Sequence, residues 1–182
     1  MRIIAGKMRG SKIEAPPAGT RPTPDKVREA VFAILQPRIF GTRVLDVFAG
    51  SGAMGLEAIS RGAEQAVFID NSRRAAPIIK GNIEKLKVEG QSRLIIADFK
   101  RALAALSGAE AFDIAFLDPP FDEGLMDQAI EQLFSLNLIA QDGIICAEHR
   151  HGTSIAKGFE VYDARRYGAV AISFIRKGSA QI

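Results

Sequence analysis

Nine consecutive residues, Val44-Leu45-Asp46-Val47-Phe48-Ala49-Gly50-Ser51-Gly52, constrain this chain more than any other stretch. They open β-branched and apolar, carry one acid inside the run and break into glycines. After Gly52 the pattern turns helical, with Met54, Leu56, Ala58 and Ile59 on an inner face. The stretch reads as a buried strand, a tight glycine turn and the N-terminus of a helix. Such a turn is a ligand cradle, because glycine lets the backbone approach a bound molecule closely.

From Arg43 onward, strand and helix signals alternate. Strands are expected near 43–48, 65–70, 92–97, 112–117 and 143–147, with helices near 53–61, 72–88, 99–106 and 123–136. That order predicts an α/β fold with a parallel sheet and helices on both faces. Phe159 to Ala164 and Ala169 to Ile175 read as two further strands around Tyr167-Gly168, an antiparallel hairpin at one edge. Before Arg43, residues 2–5 and 11–14 read as a short hairpin around Gly6 to Gly10, and Pro16-Pro17-Ala18-Gly19 as a loop. Thr23 then reads as an N-cap and Pro24 as the first residue of a helix ending near Phe40-Gly41. The 182 residues suffice for one domain, in which a hairpin and helix (1–42) pack on a core (43–182).

Charge is uneven. Residues 1–43 hold nine Lys/Arg against three acids, although the whole chain carries only +3. A polyanion-binding arm and a solvated basic surface both fit this bias. The single cysteine, Cys146, permits no intrachain disulfide and points to a reducing cytoplasm; its apolar strand marks it as core. No apolar run is long enough to span a bilayer, and the N-terminus lacks a signal-peptide core. His149, Arg150 and His151 read as a polar turn after the fifth strand, a surface or RNA-contacting loop with too few ligands for a metal. Arg165-Arg166-Tyr167 reads either as a phosphate contact or as a solvated hairpin tip.

Gly50-Ser51-Gly52-Ala53-Met54-Gly55 satisfies the dinucleotide fingerprint, and Asp70 lies twenty residues after Gly50. A nicotinamide or flavin enzyme is one reading. Asp46 argues against it, because a carboxylate before the glycines repels a pyrophosphate. It suits a cofactor with a cationic amino-acid end and no phosphate, which is S-adenosylmethionine. The cofactor set is then Asp46, Ala49, Gly50 and Gly52 in the turn, with Asp70, Asp98 and Phe99 beyond it. Asp70 accepts ribose hydroxyls or caps the next helix. Asp98 accepts from an adenine amine, with Phe99 flanking the ring, or is an ordinary N-cap.

Asp118-Pro119-Pro120-Phe121 ends the fourth strand and faces the same crevice. The prolines hold the backbone and present carbonyls. A carboxylate, a carbonyl and an aromatic ring suit a planar base with an exocyclic amine. Asp118 and the Pro119 carbonyl accept its two N–H bonds, and Phe121 stacks on the ring. An aromatic amine is a poor nucleophile because its lone pair is delocalised. Two acceptors hold the nitrogen with its lone pair aimed at a methyl carbon, so positioning supplies much of the catalysis.

Over nearly its full length the chain resembles the RsmD-type bacterial methyltransferases, which modify a guanine N2 in 16S ribosomal RNA. The resemblance rests on Arg2-Ile3-Ile4-Ala5-Gly6-Lys7 with Arg9-Gly10, and on Arg21-Pro22-Thr23 with Val27-Arg28-Glu29-Ala30-Val31-Phe32. It also rests on Asp46 to Gly55 continuing through Leu56-Glu57-Ala58 to Ser60-Arg61-Gly62-Ala63, and on Asp118 to Phe121. It implies a Rossmann-like class I S-adenosylmethionine-dependent methyltransferase: a seven-stranded sheet with its last strand antiparallel. It implies that Arg21-Pro22-Thr23 borders the pocket, adding Thr23 to the cofactor set. Asp118, Pro119, Pro120 and Phe121 become the catalytic set. Arg2, Lys7, Arg9, Lys12, Arg21 and Arg28 become RNA contacts. The implied substrate is 16S ribosomal RNA within the small subunit, and the implied enzyme is a cytoplasmic monomer without metal. Met8 stands where the family usually has Trp, and Asp70 where it usually has Glu. Other classes stay open on the residues alone: an amino methyltransferase of adenine N6 or protein glutamine, or a non-catalytic RNA-binding assembly factor.

Overall fold

The computed structural model describes residues 1–15, 25–120, 124–156 and 158–178. The Pro16–Gly19 loop, the Thr23-Pro24 helix start and the site candidates Arg21, Thr23 and Phe121 lie outside the described residues. The elements run α1 (Asp25–Leu35), β1 (Arg43–Asp46), α2 (Ala53–Ser60), β2 (Gln65–Asp70), α3 (Ala75–Leu86) and β3 (Ser92–Ile96). They continue with α4 (Phe99–Ala105), β4 (Phe112–Leu117), α5 (Leu125–Ser135), β5 (Ile139–Arg150), β6 (Glu160–Tyr167) and β7 (Val170–Arg176).

The seven strands form one sheet in the order β3-β2-β1-β4-β5-β7-β6. β1 to β5 pair in parallel because a helix crosses over between each consecutive pair. β7 is antiparallel to both β5 and β6. A short turn joins β6 to β7, and such a connection permits only antiparallel pairing. Their composition decides which takes the edge. Val170 to Ile175 are all buried, whereas β6 carries Glu160, Asp163, Arg165 and Arg166. Apolar β7 inserts beside β5, and charged β6 protects the open edge.

Side chains alternate between two apolar layers. Val44, Phe68, Phe116 and Cys146 face one that α1, α2 and α3 cover. Leu45, Val67, Leu117 and Ala147 face the other, covered by α4 and α5.

Three expectations need correction. Helix α1 ends at Leu35 and continues only as a 3-10 turn, Gln36–Arg38, because Pro37 cannot extend an α-helix. Strand β5 is much longer than expected. It starts at Ile139, shifts register between Phe112 and Ile114 of β4, and runs past Ala147 to Arg150. Of the expected turn His149-Arg150-His151, only His151 is a turn: His149 and Arg150 belong to the strand with Glu148, and β7 pairs with the three through Ile172, Ala171 and Val170. Tertiary pairing overrides their polar composition.

The N-terminal hairpin is the third. It is antiparallel as expected but short, with one bridge, Arg2 to Lys12, and backbone bonds from Ile3 N–H to Ser11, Gly10 N–H to Ile3 and Ile13 N–H to Met1 at 3.0, 2.9 and 3.1 Å. The amides that would extend the ladder turn to a side chain. Ile4 and Ala5 donate to the Glu57 carboxylate at 2.7 and 3.0 Å. Glu57 is fully buried on α2 and also accepts from Arg61 Nε at 2.7 Å. At the end of the same helix, Lys7 N–H donates to the Ser60 carbonyl at 2.7 Å, and Met8 N–H to Ser60 Oγ at 3.0 Å. Gly6, at φ +84°, permits this close approach; a Cβ there would lie 1.9 Å from the Ser60 oxygen.

Glu57→Ala would remove the buried ion-pair partner of Arg61 and the acceptor of the Ile4 and Ala5 amides. It is expected to lower the unfolding free energy by about 3–5 kcal/mol, as for removal of one partner from a buried ion pair. Urea denaturation measures the loss; a value under about 1 kcal/mol would class the pair with exposed salt bridges.

Candidate active site

Strand β1 ends in a turn whose backbone stays tied to both neighbouring strands. Val47 N–H donates to the Phe116 carbonyl at 3.1 Å and Ala49 N–H to the Ile69 carbonyl at 2.9 Å. Gly50 and Gly52 have φ of +57° and +76°, where side chains are strained. A Cβ on Gly50 would meet no atom within 4 Å, so this side of the turn is open. The third glycine serves packing: a Cβ on Gly55 would lie 2.3 Å from the Phe68 ring. Asn82, which the sequence gives no reason to single out, braces the turn. It is buried on α3 and donates to the carbonyls of Ser51 at 3.0 Å and Glu14 at 2.9 Å.

Asp46 has a structural role that its sequence position does not announce. Its Oδ2 accepts the Gly55 N–H at 3.1 Å, satisfying one of the orphan donors that begin α2. The carboxylate is buried, and burial pushes its pKa up to about 7, against the Gly55 hydrogen bond and with help from the charge of Asp70. No Lys or Arg among the described residues forms an ion pair with it. A buried acid beside an open glycine turn fits the cationic end of S-adenosylmethionine.

Asp46 is one of five acids across the carboxyl ends of the parallel strands. In spatial order they are Asp98, Asp70, Asp46, Asp118 and Glu148, following β3, β2, β1, β4 and β5. Four strand spacings of about 4.8 Å place the row over roughly 19 Å. Asp70 accepts the Gly50 N–H at 2.8 Å and the Ser72 N–H at 2.7 Å, so it joins the glycine turn to the β2–α3 loop. Asp98 is exposed and accepts from Lys100 N–H at 2.9 Å, which makes it the N-cap of α4. Each carboxylate retains further lone pairs for a ligand.

Asp118 lies just past β4, half-buried, with Pro119 buried and Pro120 exposed. Burial pushes its pKa up to about 8, and the charges of Glu148 and then Asp46 add to this. Glu148 was not among the expected site residues, because the expected strand stops at residue 147 and the polar turn expected after it starts at His149. The signal that could have found it is an acid directly after the apolar run Ile144 to Ala147, as in the other four strands.

Several candidates are relocated. Arg28 cannot contact RNA: it is fully buried, and its guanidinium donates to the Arg2 carbonyl and to Asp25. The charge of Glu57 beneath it favours this burial. Arg2, Lys7, Arg9 and Lys12 are exposed on the hairpin. The Phe99 ring packs into the core against Phe48, 5.3 Å between centroids, and its 6% exposure leaves little face for a base. His149 is buried with Nε2 2.9 Å from Ser173 Oγ, which removes it from any surface loop. Cys146 is buried and burial pushes its thiol pKa upward. Among the described residues, no cluster of three or more His, Cys, Asp or Glu could hold a metal, and no helix is long and apolar enough to cross a membrane.

Asp46→Asn separates stability from binding. The folded-state pKa of Asp46 is raised, so the fold binds more protons than the unfolded chain and Asp46 lowers stability as pH rises toward about 7. An amide oxygen still accepts from Gly55 without the buried charge. Thermal melts should therefore show a higher Tm for the variant at pH 8, with the gain shrinking toward pH 5. Calorimetric titration should show S-adenosylmethionine affinity falling at least about tenfold. Unchanged affinity would remove Asp46 from the cofactor set.

Known proteins resemble this arrangement closely. The family model described as "Conserved hypothetical protein 95" matches residues 1–176. The ribosomal RNA small subunit methyltransferase D of Escherichia coli is 39% identical over 149 residues, covering 81% of this chain and 74% of that protein. The protein of the same name from Haemophilus influenzae is 38% identical over 153 residues, covering 81% and 78%. A solved structure from Escherichia coli, carrying the name yhhF, superposes with a TM-score of 0.87 at 34% identity, covering 98% of this chain and 99% of that one. With a family model spanning nearly the whole chain and such identity over four-fifths of it, the chain belongs to the RsmD-type family of ribosomal RNA small subunit methyltransferases.

Proposed function

We propose that this protein transfers a methyl group from S-adenosylmethionine to the exocyclic N2 amine of a guanine in 16S ribosomal RNA. One observation carries the reading. The cofactor turn after β1 and the Asp118-Pro119 loop after β4 open from neighbouring strands, and the charge of Asp46 raises the pKa of Asp118. The names of the relatives support the RNA substrate.

Asp46 would hold the cofactor's ammonium, Asp70 its ribose and Asp98 its adenine amine, with Gly50 giving the backbone room to approach. When bound, the cofactor supplies an electrophilic methyl carbon on a sulfur that departs neutral. Asp118 and the Pro119 carbonyl accept the two N–H bonds of the amine and hold its lone pair toward that carbon. The nitrogen gains a carbon and must lose a proton. A carboxylate with its pKa pushed up to about 8 is well matched to receive it and pass it to water. Phe121 is assigned the stacking face.

The exposed Arg2, Lys7, Arg9 and Lys12 are assigned to RNA phosphates. The hairpin that carries them is fastened to α2 through backbone amides, which leaves their side chains outward. The reading extends to a cytoplasmic monomer acting on RNA packaged in the small subunit. The buried free thiol of Cys146 supports a reducing compartment.

Incubation with radiolabelled cofactor and small subunits, followed by nucleoside analysis, tests the reaction; label on adenine, or no label, would overturn it. Asp118→Asn should reduce transfer at least about a hundredfold and leave cofactor affinity within a few-fold. In the wild type, kcat/KM should rise with pH through about 8, as Asp118 loses the proton that blocks its acceptor role. A profile flat from about pH 6 to 9 counts against Asp118 as the acceptor. Replacing Lys7 and Arg9 together with Ala should reduce the slope of log affinity against log salt by about one to two. An unchanged slope argues against hairpin docking.

A further inference from the structure

Two acceptors at the target amine do not distinguish one amino base from another. Asp118 and the Pro119 carbonyl would hold an adenine N6 as readily as a guanine N2. The bases differ at the ring nitrogen beside the amine. Guanine presents an N1–H donor next to N2, whereas adenine presents an N1 lone pair next to N6. Selection therefore needs a third group, beside Asp118, that reads this nitrogen.

The sheet supplies one. Leu117 of β4 lies opposite Ala147 of β5, so Asp118, the first residue past β4, and Glu148 of β5 both follow directly on that pair. Phe116 and Cys146 face the layer beneath α1, and alternation along β5 turns Glu148 to that same side. Glu148 is held in register from its other side by β7, where it pairs with buried Ile172. It is half-buried, and its charge acts on Asp118. Neighbouring carboxylates repel each other, and a ligand with two neighbouring N–H donors relieves that repulsion. The N1–H and N2–H of guanine are such a pair.

We propose that Glu148 accepts the guanine N1–H and is the residue that makes this site select guanine over bases with an acceptor at N1. This rests on the guanine N2 reading above. A base with an N1 lone pair would set acceptor against acceptor, and sites built for a hydrogen bond reject such analogues strongly.

2,6-Diaminopurine is the probe, because it keeps the N2 amine and lacks the N1–H. Small subunits are reconstituted with 16S RNA carrying either guanine or diaminopurine at the nucleotide located by mapping the label. Wild-type enzyme should methylate the diaminopurine subunit at least about a hundredfold more slowly. Glu148→Gln presents an amide N–H to the N1 lone pair. It should lose at least about tenfold on guanine, gain on diaminopurine, and so collapse the selectivity by about a hundredfold or more. A general structural defect would slow both substrates together and leave their ratio unchanged. Comparable wild-type rates on the two subunits, or an unchanged ratio in Glu148→Gln, would overturn the inference and leave the guanine reading standing. Wild-type label on any nucleoside other than N2-methylguanosine would overturn the guanine reading and this inference with it.

Discussion

The hydrogen bond from Gly55 N–H to Asp46 joins the end of the first parallel strand to the first turn of the helix that follows it. It closes the glycine turn from below, while Asp70 holds it from the side through Gly50. It also keeps a carboxylate buried where no basic side chain among the described residues pairs with it. A helix N-terminus favours an anion, which is why the charge is tolerated. Burial still outweighs that help, since the pKa of Asp46 stands at about 7. The turn is thus held together by a group whose ionised form destabilises it. A cation at this position removes that penalty, so binding and folding stability are linked at one residue.

Helix α2 transmits the same order to the N-terminal segment. Seven of its eight residues are buried, an unusual state for a helix that carries a glutamate. Glu57 is tolerated because two backbone amides and an arginine satisfy it. The basic hairpin is therefore fastened by its backbone and not by its basic side chains. Four cations stay exposed at one place on the surface, while a fifth, Arg28, is buried beneath them on the Arg2 carbonyl and Asp25.

What was legible in the sequence is what short-range chemistry decides. Asp46, Gly50, Gly52 and Gly55 lie within ten residues, and strand, turn and helix can be read directly from their spacing. Asp118 was legible because prolines follow an apolar run. Arg28 was not: its neighbours predict an exposed basic patch, but its guanidinium is buried against the Arg2 carbonyl, twenty-six residues earlier, and Asp25. Glu148 was not, because β7 must pair with it before its polar run becomes a strand. Phe99 follows an acid that does cap a helix, but its ring direction is set by Phe48 across the core. The misses share a cause: each depends on a partner distant in the chain.

The segregation of charge has a consequence for how RNA would be handled under the proposed function. Five acids line the strand ends and four exposed cations sit on the hairpin. Phosphates are drawn to the hairpin and repelled by the crevice, which excludes the RNA backbone from the cofactor site. Under the proposed function a neutral group with N–H donors can enter where an anionic phosphate cannot. A base turned out of its stack meets that condition and a nucleotide's phosphate does not. The acids proposed to hold the cofactor and align the amine would thereby also act as a filter. Under the proposed function the exposed cations of the hairpin and the acids of the crevice would be two parts of one device: the first would hold the strand, and the second would admit the base without its phosphate.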